Sequence, residues 1–285
     1  MISDKKIQHL SIKISTTFLF LILLIVSIFF VYPFYYVFVL ASRERANMFT
    51  VPPPFWFGNG IRQNYTSLLQ NLPFWRNMFN STGIAVLATV TTIFFCTMAG
   101  FAFAKYKFKG KDFLFNFILA TLAIPQLLGI IPFFKMMVWL NWINTWLPLF
   151  VPTMANAFGI FLMRQYLEGS IPIDLLDAAR IDGMKEFKIL LRIVFPLARP
   201  AIAVLGISTF IGSWNNFFGA LVILRDKNSY TVPVALSSLL GVHNVDFGAI
   251  MLGTALALIP LLLIFIFFSK QIIASLLAGS LKGAI

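Results

Sequence analysis

Residues 171–200 read IPIDLLDAARIDGMKEFKILLRIVFPLARP, a polar stretch with long apolar runs on both sides. Five charged side chains fall within Asp177–Glu186, in a chain that is 59% hydrophobic and only 11% charged. Pro172 suits the first position of a helix, with Asp174 and Asp177 near the positive end of its dipole. Leu175, Leu176, Ala178 and Ala179 give that helix an apolar arc with small residues at its middle. Asp182-Gly183 marks a turn, because glycine accepts positive φ. At about 100° per residue, a second helix carries Phe187, Leu190, Leu191 and Val194 as one stripe. Lys185, Lys188 and Arg192 lie opposite, and Ile189 and Ile193 fall off the stripe. Pro196 and Pro200 then interrupt the chain. The stretch reads as a helix–turn–helix standing off a membrane, with a small-residue tip, Ala178 and Ala179, that fits a groove in another protein. The alternative is an amphipathic hairpin lying on lipid headgroups. Three aspartates, Asp174, Asp177 and Asp182, suit an anionic leaflet poorly.

The rest of the chain explains why a membrane enters the argument. Mean hydropathy is +0.88, and 33 phenylalanines supply more apolar surface than a small core can hide. Six apolar runs approach the ~20 residues that cross ~30 Å of hydrocarbon. They are Thr17–Leu40, Met78–Lys105, Phe113–Trp139, Leu147–Met163, Ala201–Leu224 and Ala249–Phe268. This predicts an all-α integral membrane protein with six transmembrane helices, a single transmembrane domain over residues 1–285. Pro148 and Pro152 sit in the first turns of the fourth run, where a missing N–H costs little. Pro33, Pro125, Pro132 and Pro260 fall inside runs, where neighbouring helices must satisfy the freed carbonyls.

The net charge of +12 is a topology signal rather than a nucleic-acid footprint. Alternate loops gather fifteen Lys and Arg on one side, at the N-terminus, Lys105–Lys111, Arg164–Arg199 and the C-terminus, against six on the other. That excess places both termini in the cytoplasm. Lys135 is left near the end of the third run, within snorkelling reach of the interface. Val39-Leu40-Ala41 is a passable signal-peptide cleavage site, yet the first run exceeds the about 7–15 residues of a signal core and reads as a retained span.

Absences narrow the chemistry further. One cysteine, Cys96, excludes an intrachain disulfide and a multi-cysteine metal cluster. His9 and His243 fall on opposite sides, so no metal centre is expected. None of the six runs contains Asp or Glu, which argues against a proton-coupled carrier. Gly110-Lys111 is followed by Asp112 and lacks the glycine-rich loop that cradles phosphates. No catalytic constellation is read in the chain, and if it drives transport the energy must arrive through a partner. The fifth run is dense in small and polar residues, including Gly206, Ser208, Thr209, Gly212, Ser213, Asn215, Asn216 and Gly219; the fourth adds Asn156 and Gly159, the third Gln126 and Gly129. These read either as structural glue between helices or as a polar path for a hydroxyl-rich solute, formed by Gln126, Asn156, Ser213, Asn215 and Asn216. The outside loop Ala41–Arg76, with Pro52-Pro53-Pro54, Trp56 and Trp75, reads as an interfacial strap or as a docking surface for an outside partner.

DAARIDG at 177–183, nine residues, then Ile193-Val194-Phe195-Pro196 resembles the EAA loop of ABC importer permeases, with Asp177 for the usual Glu and Phe195 for the usual Leu. IP…L…AARIDG…IVFPLARPA, Trp214-Asn215-Asn216-Phe217 and the ending Ala278-Gly279-Ser280-Leu281-Lys282-Gly283 are similar to the carbohydrate-uptake branch, in particular the second membrane subunit of maltose-type importers. The resemblance implies the type I ABC importer permease fold in a prokaryotic plasma (inner) membrane. It also implies a sugar or oligosaccharide as solute and residues 171–200 as a cytoplasmic coupling loop. Asp177, Ala178, Ala179 and Gly183, with Asp182 beside them, would dock into an ATPase. Implied partners are a second homologous permease, two cytoplasmic ATPase subunits that bind ATP and Mg, an extracellular or periplasmic binding protein and membrane lipid. No cofactor, nucleic acid or enzymatic role belongs to this chain in that reading. The other readings are the same importer class with another polar solute, such as a glycerol-phosphate-like molecule, and an ion-driven secondary carrier.

Overall fold

An apolar chain in lipid satisfies its backbone internally, and helices are the local way to do so. The computed structural model describes the backbone of residues 2–44, 47–241 and 245–282, and the side chains of 17–44, 47–125, 127–241 and 245–267. Among the described residues there are helices and turns but no strands. The chain divides into two units, residues 1–71 with 239–256, and residues 72–238 with 257–285. The first holds α1 (Ile2–Ala41) and α2 (Ile61–Asn71). The second holds α3 (Phe74–Lys105), α4 (Lys111–Thr121), α5 (Ile130–Trp139), α6 (Leu147–Phe150), α7 (Ala157–Ser170), α8 (Ile173–Ile181), α9 (Glu186–Ile189), α10 (Phe195–Leu197), α11 (Arg199–Trp214), α12 (Phe217–Ile223) and α13 (Val232–Ser238). The last helix, α14 (Phe247–Lys282), contributes to both.

By length and composition, Thr17–Ala41, Phe74–Lys105, Leu147–Ser170 and Phe247–Phe267 can each cross a membrane. Glu186–Leu197 and Arg199–Trp214, bent by 83°, make a fifth candidate. That bend falls between Pro196 and Pro200, where the sequence anticipates an interruption. The expected third span differs from its reading as one helix. It is split between α4 and α5, each shorter than the ~20 residues a span needs. Pro125 removes a backbone donor and disfavours helical geometry at Ile124, and Gln126–Gly129 forms a separate 3-10 turn. Pro33 and Pro260 lie inside continuous helices, so proline alone does not break a span here.

In the first unit, Asn64 ties α2 to the end of α1. Its buried amide donates to the carbonyls of Ala41 at 2.9 Å and Arg43 at 2.8 Å. Arg43 in turn donates to the Trp56 carbonyl at 2.7 Å.

In the second unit, α3 is the axis. Gly100 brings it against α7 so closely that a Cβ there would stand 2.6 Å from Met163 Cβ. Thr92 donates to the Thr153 carbonyl at 2.9 Å. One end of α3 carries the buried amides of Asn77 and Asn80. They donate to the carbonyls of Lys227 at 2.7 Å and Asn228 at 2.8 Å, and so pin the loop before α13. The other end meets the polar stretch 171–200. There a core of Phe101, Met163, Leu167, Leu176, Ile189, Val194 and Leu205 packs.

Candidate functional site

Three interrupted segments of the second unit converge on one cleft of about 750 Å³. Leu127 and Gly129 come from the break between α4 and α5, and Phe133 from α5; Pro148 comes from α6, and Pro152, Thr153 and Asn156 from the break between α6 and α7. Ser208, Thr209, Ser213, Asn215 and Asn216 come from α11 and the break that follows it. Irregular backbone at membrane depth is tolerated where it lines a cavity, so the cleft and the breaks explain each other. None of the lining residues is ionisable.

Two of the breaks are closed by the same local device. Asn156 Oδ1 accepts the Gly159 N–H at 2.7 Å, capping α7. Asn216 Oδ1 accepts the Gly219 N–H at 3.1 Å, capping α12. Each cap engages the side-chain oxygen of a residue that also lines the cleft. For these two residues the structural role is that of helix caps, at positions that also line the cleft. Asn215 ends α11 through its backbone N–H, and Ser213 Oγ is buried without a protein partner among the described residues. Four of the five expected path residues thus share the cleft, and the side chain of Gln126 lies outside the described residues. Neutral donors beside the rings of Phe158, Phe217 and Phe218 match an uncharged hydroxyl-rich molecule better than an ion, which would need a compensating charge.

The polar stretch is a hairpin. Pro172 caps α8 with extended backbone rather than entering it, and Gly183 makes the turn at φ +77°. A Cβ on Gly183 would meet nothing within 4 Å, so the demand is purely conformational. Gly183→Val is expected to destabilise the hairpin by about 1–2 kcal/mol, whereas Gly183→Asn, which tolerates this region, costs much less; proteolysis rates at the turn report the difference.

Two expectations about this hairpin need correction. Ala179 does not share the outward tip with Ala178. It is only 6% exposed and joins Leu176 in the core beneath, while Asp177, Ala178, Asp182 and Gly183 face out. Ile181, at the end of the same helix, is 86% exposed. The buried stripe of the second helix is Ile189, Leu190 and Val194, with Phe187 and Leu191 exposed. The helix buries the neighbouring face of the same period, and a π-helical turn then follows over Leu190–Val194. Its i→i+5 bonding widens that turn beyond 3.6 residues.

Arg180 organises the charges. Its Nη1 donates to Asp177 Oδ1 at 2.6 Å and its Nε to Glu186 Oε1 at 2.7 Å, across the turn. The Tyr106 hydroxyl donates to the other oxygen of Glu186. Hydrogen bonds from Arg180, then from Tyr106, hold the Glu186 carboxyl below the usual range. Burial, then the bond to Glu186, pushes the Tyr106 phenol up to about 12. A depressed carboxyl contributes stability above its unfolded value and loses it as pH falls through the folded one. A raised phenol contributes below its unfolded value and loses it as pH rises through the folded one. The cluster therefore stays intact across neutral pH. Sequence spacing conceals it, because Tyr106 and Glu186 are 80 positions apart. Among the described residues no three His, Cys, Asp or Glu side chains gather as metal ligands would.

Membrane-length helices, a cleft lined by neutral side chains and an ordered hairpin are the parts of a transport component. The family described as binding-protein-dependent transport system inner membrane component matches residues 93–276. The chain belongs to this family. It is 37% identical over 221 residues to the arabinooligosaccharides transport system permease protein AraQ of Bacillus subtilis, covering 77% of this chain and 78% of that one. It is 31% identical over 265 residues to the trehalose/maltose transport system permease protein MalG of Thermococcus litoralis, covering 91% and 94%. A crystal structure of a bacterial ABC transporter involved in import of the acidic polysaccharide alginate superposes with a TM-score of 0.78 at 25% identity, covering 90% of this chain and 96% of that one.

Proposed function

We propose that this chain is the permease subunit of an ATP-driven importer of sugars or oligosaccharides. In this reading residues 1–285 form one permease domain of a prokaryotic plasma membrane. It has six spans, with the broken segment 113–139 crossing as the third and both termini cytoplasmic; the asymmetry of basic residues supports that orientation. The observation that carries the reading is the charge-free cleft where three broken segments meet. Its about 750 Å³ suits a small-molecule site. The saccharides named for the relatives support a polyhydroxylated solute.

The hairpin 171–196 takes up motion from two ATPase subunits, which bind ATP and Mg. Asp177, Ala178, Ile181, Asp182 and Gly183 form the seat, and Ala179 supports it from beneath. A second homologous permease completes the path, and an extracellular binding protein delivers solute. Closure of the ATPase pair rocks the helices between outward-open and inward-open forms, and this chain itself catalyses nothing. The test is uptake of labelled arabinotriose, maltose and lactose by cells with and without the gene. Loss of uptake of at least one saccharide on deletion is the expected result. Unchanged uptake of all three, or transport by the purified chain alone under a sodium gradient, refutes the reading.

A further inference from the structure

The hairpin and the cleft lie at different heights along α3, and Tyr106 joins the hairpin to that helix. Tyr106 caps α3, its backbone N–H donating to the Ala102 carbonyl at 3.1 Å. Its ring packs edge-on against Phe101, with centroids 5.3 Å apart, and so follows the helix. Its hydroxyl holds Glu186, the first residue of α9. Arg180 then fixes Glu186 to Asp177 and lies 5.8 Å above the Tyr106 ring. Three separate elements, α3, α8 and α9, are thereby bound through one ionised carboxylate. Higher on α3, Thr92 holds the Thr153 carbonyl in the irregular segment that lines the cleft.

We propose that Tyr106 is the positioning residue that makes the hairpin and α3 one moving part, delivering load from the hairpin to the Thr92–Thr153 contact at the cleft. The inference rests on the importer reading above and adds the route within this chain. Physical chemistry favours this link over the apolar seat of the hairpin. Leu176, Ala179 and Ile189 bury area, but apolar burial is non-directional and permits sliding. Charge-assisted hydrogen bonds in a shared network fix orientation.

The experiment uses the whole complex as purified from native membranes, with all associated subunits, in proteoliposomes. Cys96→Ser removes the native thiol, and spin labels go on Lys188→Cys in α9 and Met98→Cys in α3. The label distance is read without nucleotide and with ATP kept unhydrolysed by chelating magnesium. Uptake of labelled maltose, arabinotriose or lactose, whichever the unlabelled complex carries, is measured per ATP hydrolysed. The expected result is one distance in both states for the otherwise native chain. Tyr106→Phe, which keeps the ring and removes only the hydroxyl, is expected to give a nucleotide-dependent distance and about a three- to tenfold fall in uptake per ATP. Adding Glu186→Gln to Tyr106→Phe is expected to lower coupling no further than the worse single variant, as partners in one interaction do. The proposal is overturned if the distance already changes with nucleotide in the native chain, or if Tyr106→Phe couples normally. A purified complex with no ATPase subunit, or one carrying none of the three saccharides, overturns the importer reading and this route with it.

Discussion

Ile181→Glu is expected to weaken association with the ATPase subunits by about a thousandfold and to abolish ATP-dependent uptake, while the chain still inserts into the membrane. Ile181 is 86% exposed at the end of α8, beside the Asp182-Gly183 turn. An isoleucine gains about 1.5–3 kcal/mol when a partner covers it. A carboxylate forced into the same dry contact without a partner costs several kcal/mol more. A combined loss of about 4 kcal/mol corresponds to a factor of about a thousand. The side chain contributes nothing to the core beneath, so hairpin stability is expected to change little. Ala179→Glu supplies the contrast. At 6% exposed it would place a charge among Leu176 and Ile189 and unfold the hairpin itself. The measurement is the amount of ATPase subunit that co-purifies with each variant, alongside protease resistance of residues 171–200. Full retention of ATPase by Ile181→Glu would move the docking face elsewhere.

What was legible in the sequence divides along a physical line. The Asp182-Gly183 turn and the interruption at Pro196 and Pro200 are local chemistry, and the structure has them where the residues place them. Periodicity alone did not select the packed face of the second hairpin helix. Ile189 is in the core and Phe187 out of it, because a stripe of apolar residues on a short helix leaves open which of two overlapping faces packs. Hydropathy sums apolarity over a window without testing continuity, so 113–139 read as one helix although Pro125 divides it. The cluster of Arg180, Glu186 and Tyr106 depends on a contact across 80 positions, which spacing does not encode. A subtler signal was present in Asn156-Ala157-Phe158-Gly159 and Asn216-Phe217-Phe218-Gly219. In each, an asparagine precedes a glycine by three positions just after an interruption, the arrangement of an N-cap. Read that way, both helix starts beside the cleft follow from the sequence.

Gly100→Leu is expected to prevent stable folding of the second unit, because the approach of α3 to α7 leaves no volume for a side chain. A Cβ at Gly100 would stand 2.6 Å from Met163 Cβ and 2.8 Å from the Arg164 backbone nitrogen. Neither atom belongs to a flexible side-chain end, so relief requires the helices to separate. In lipid, helix association relies on close packing rather than on a hydrophobic drive, and separation therefore removes the main attraction between these elements. It also stretches the Thr92–Thr153 hydrogen bond that holds the wall of the cleft. Gly100→Ala alone is expected to cost about 1–3 kcal/mol as an overpacked site, with leucine costing more. Gly212 in α11 provides a control of opposite sign. A Cβ there meets nothing within 4 Å, and alanine in a helix interior gains about 0.5–1 kcal/mol over glycine. The fraction of monodisperse protein remaining after heating in mild detergent should fall for Gly100→Ala, vanish for Gly100→Leu and hold or rise for Gly212→Ala. Equal survival of all three would mean that α3 and α7 do not approach at Gly100.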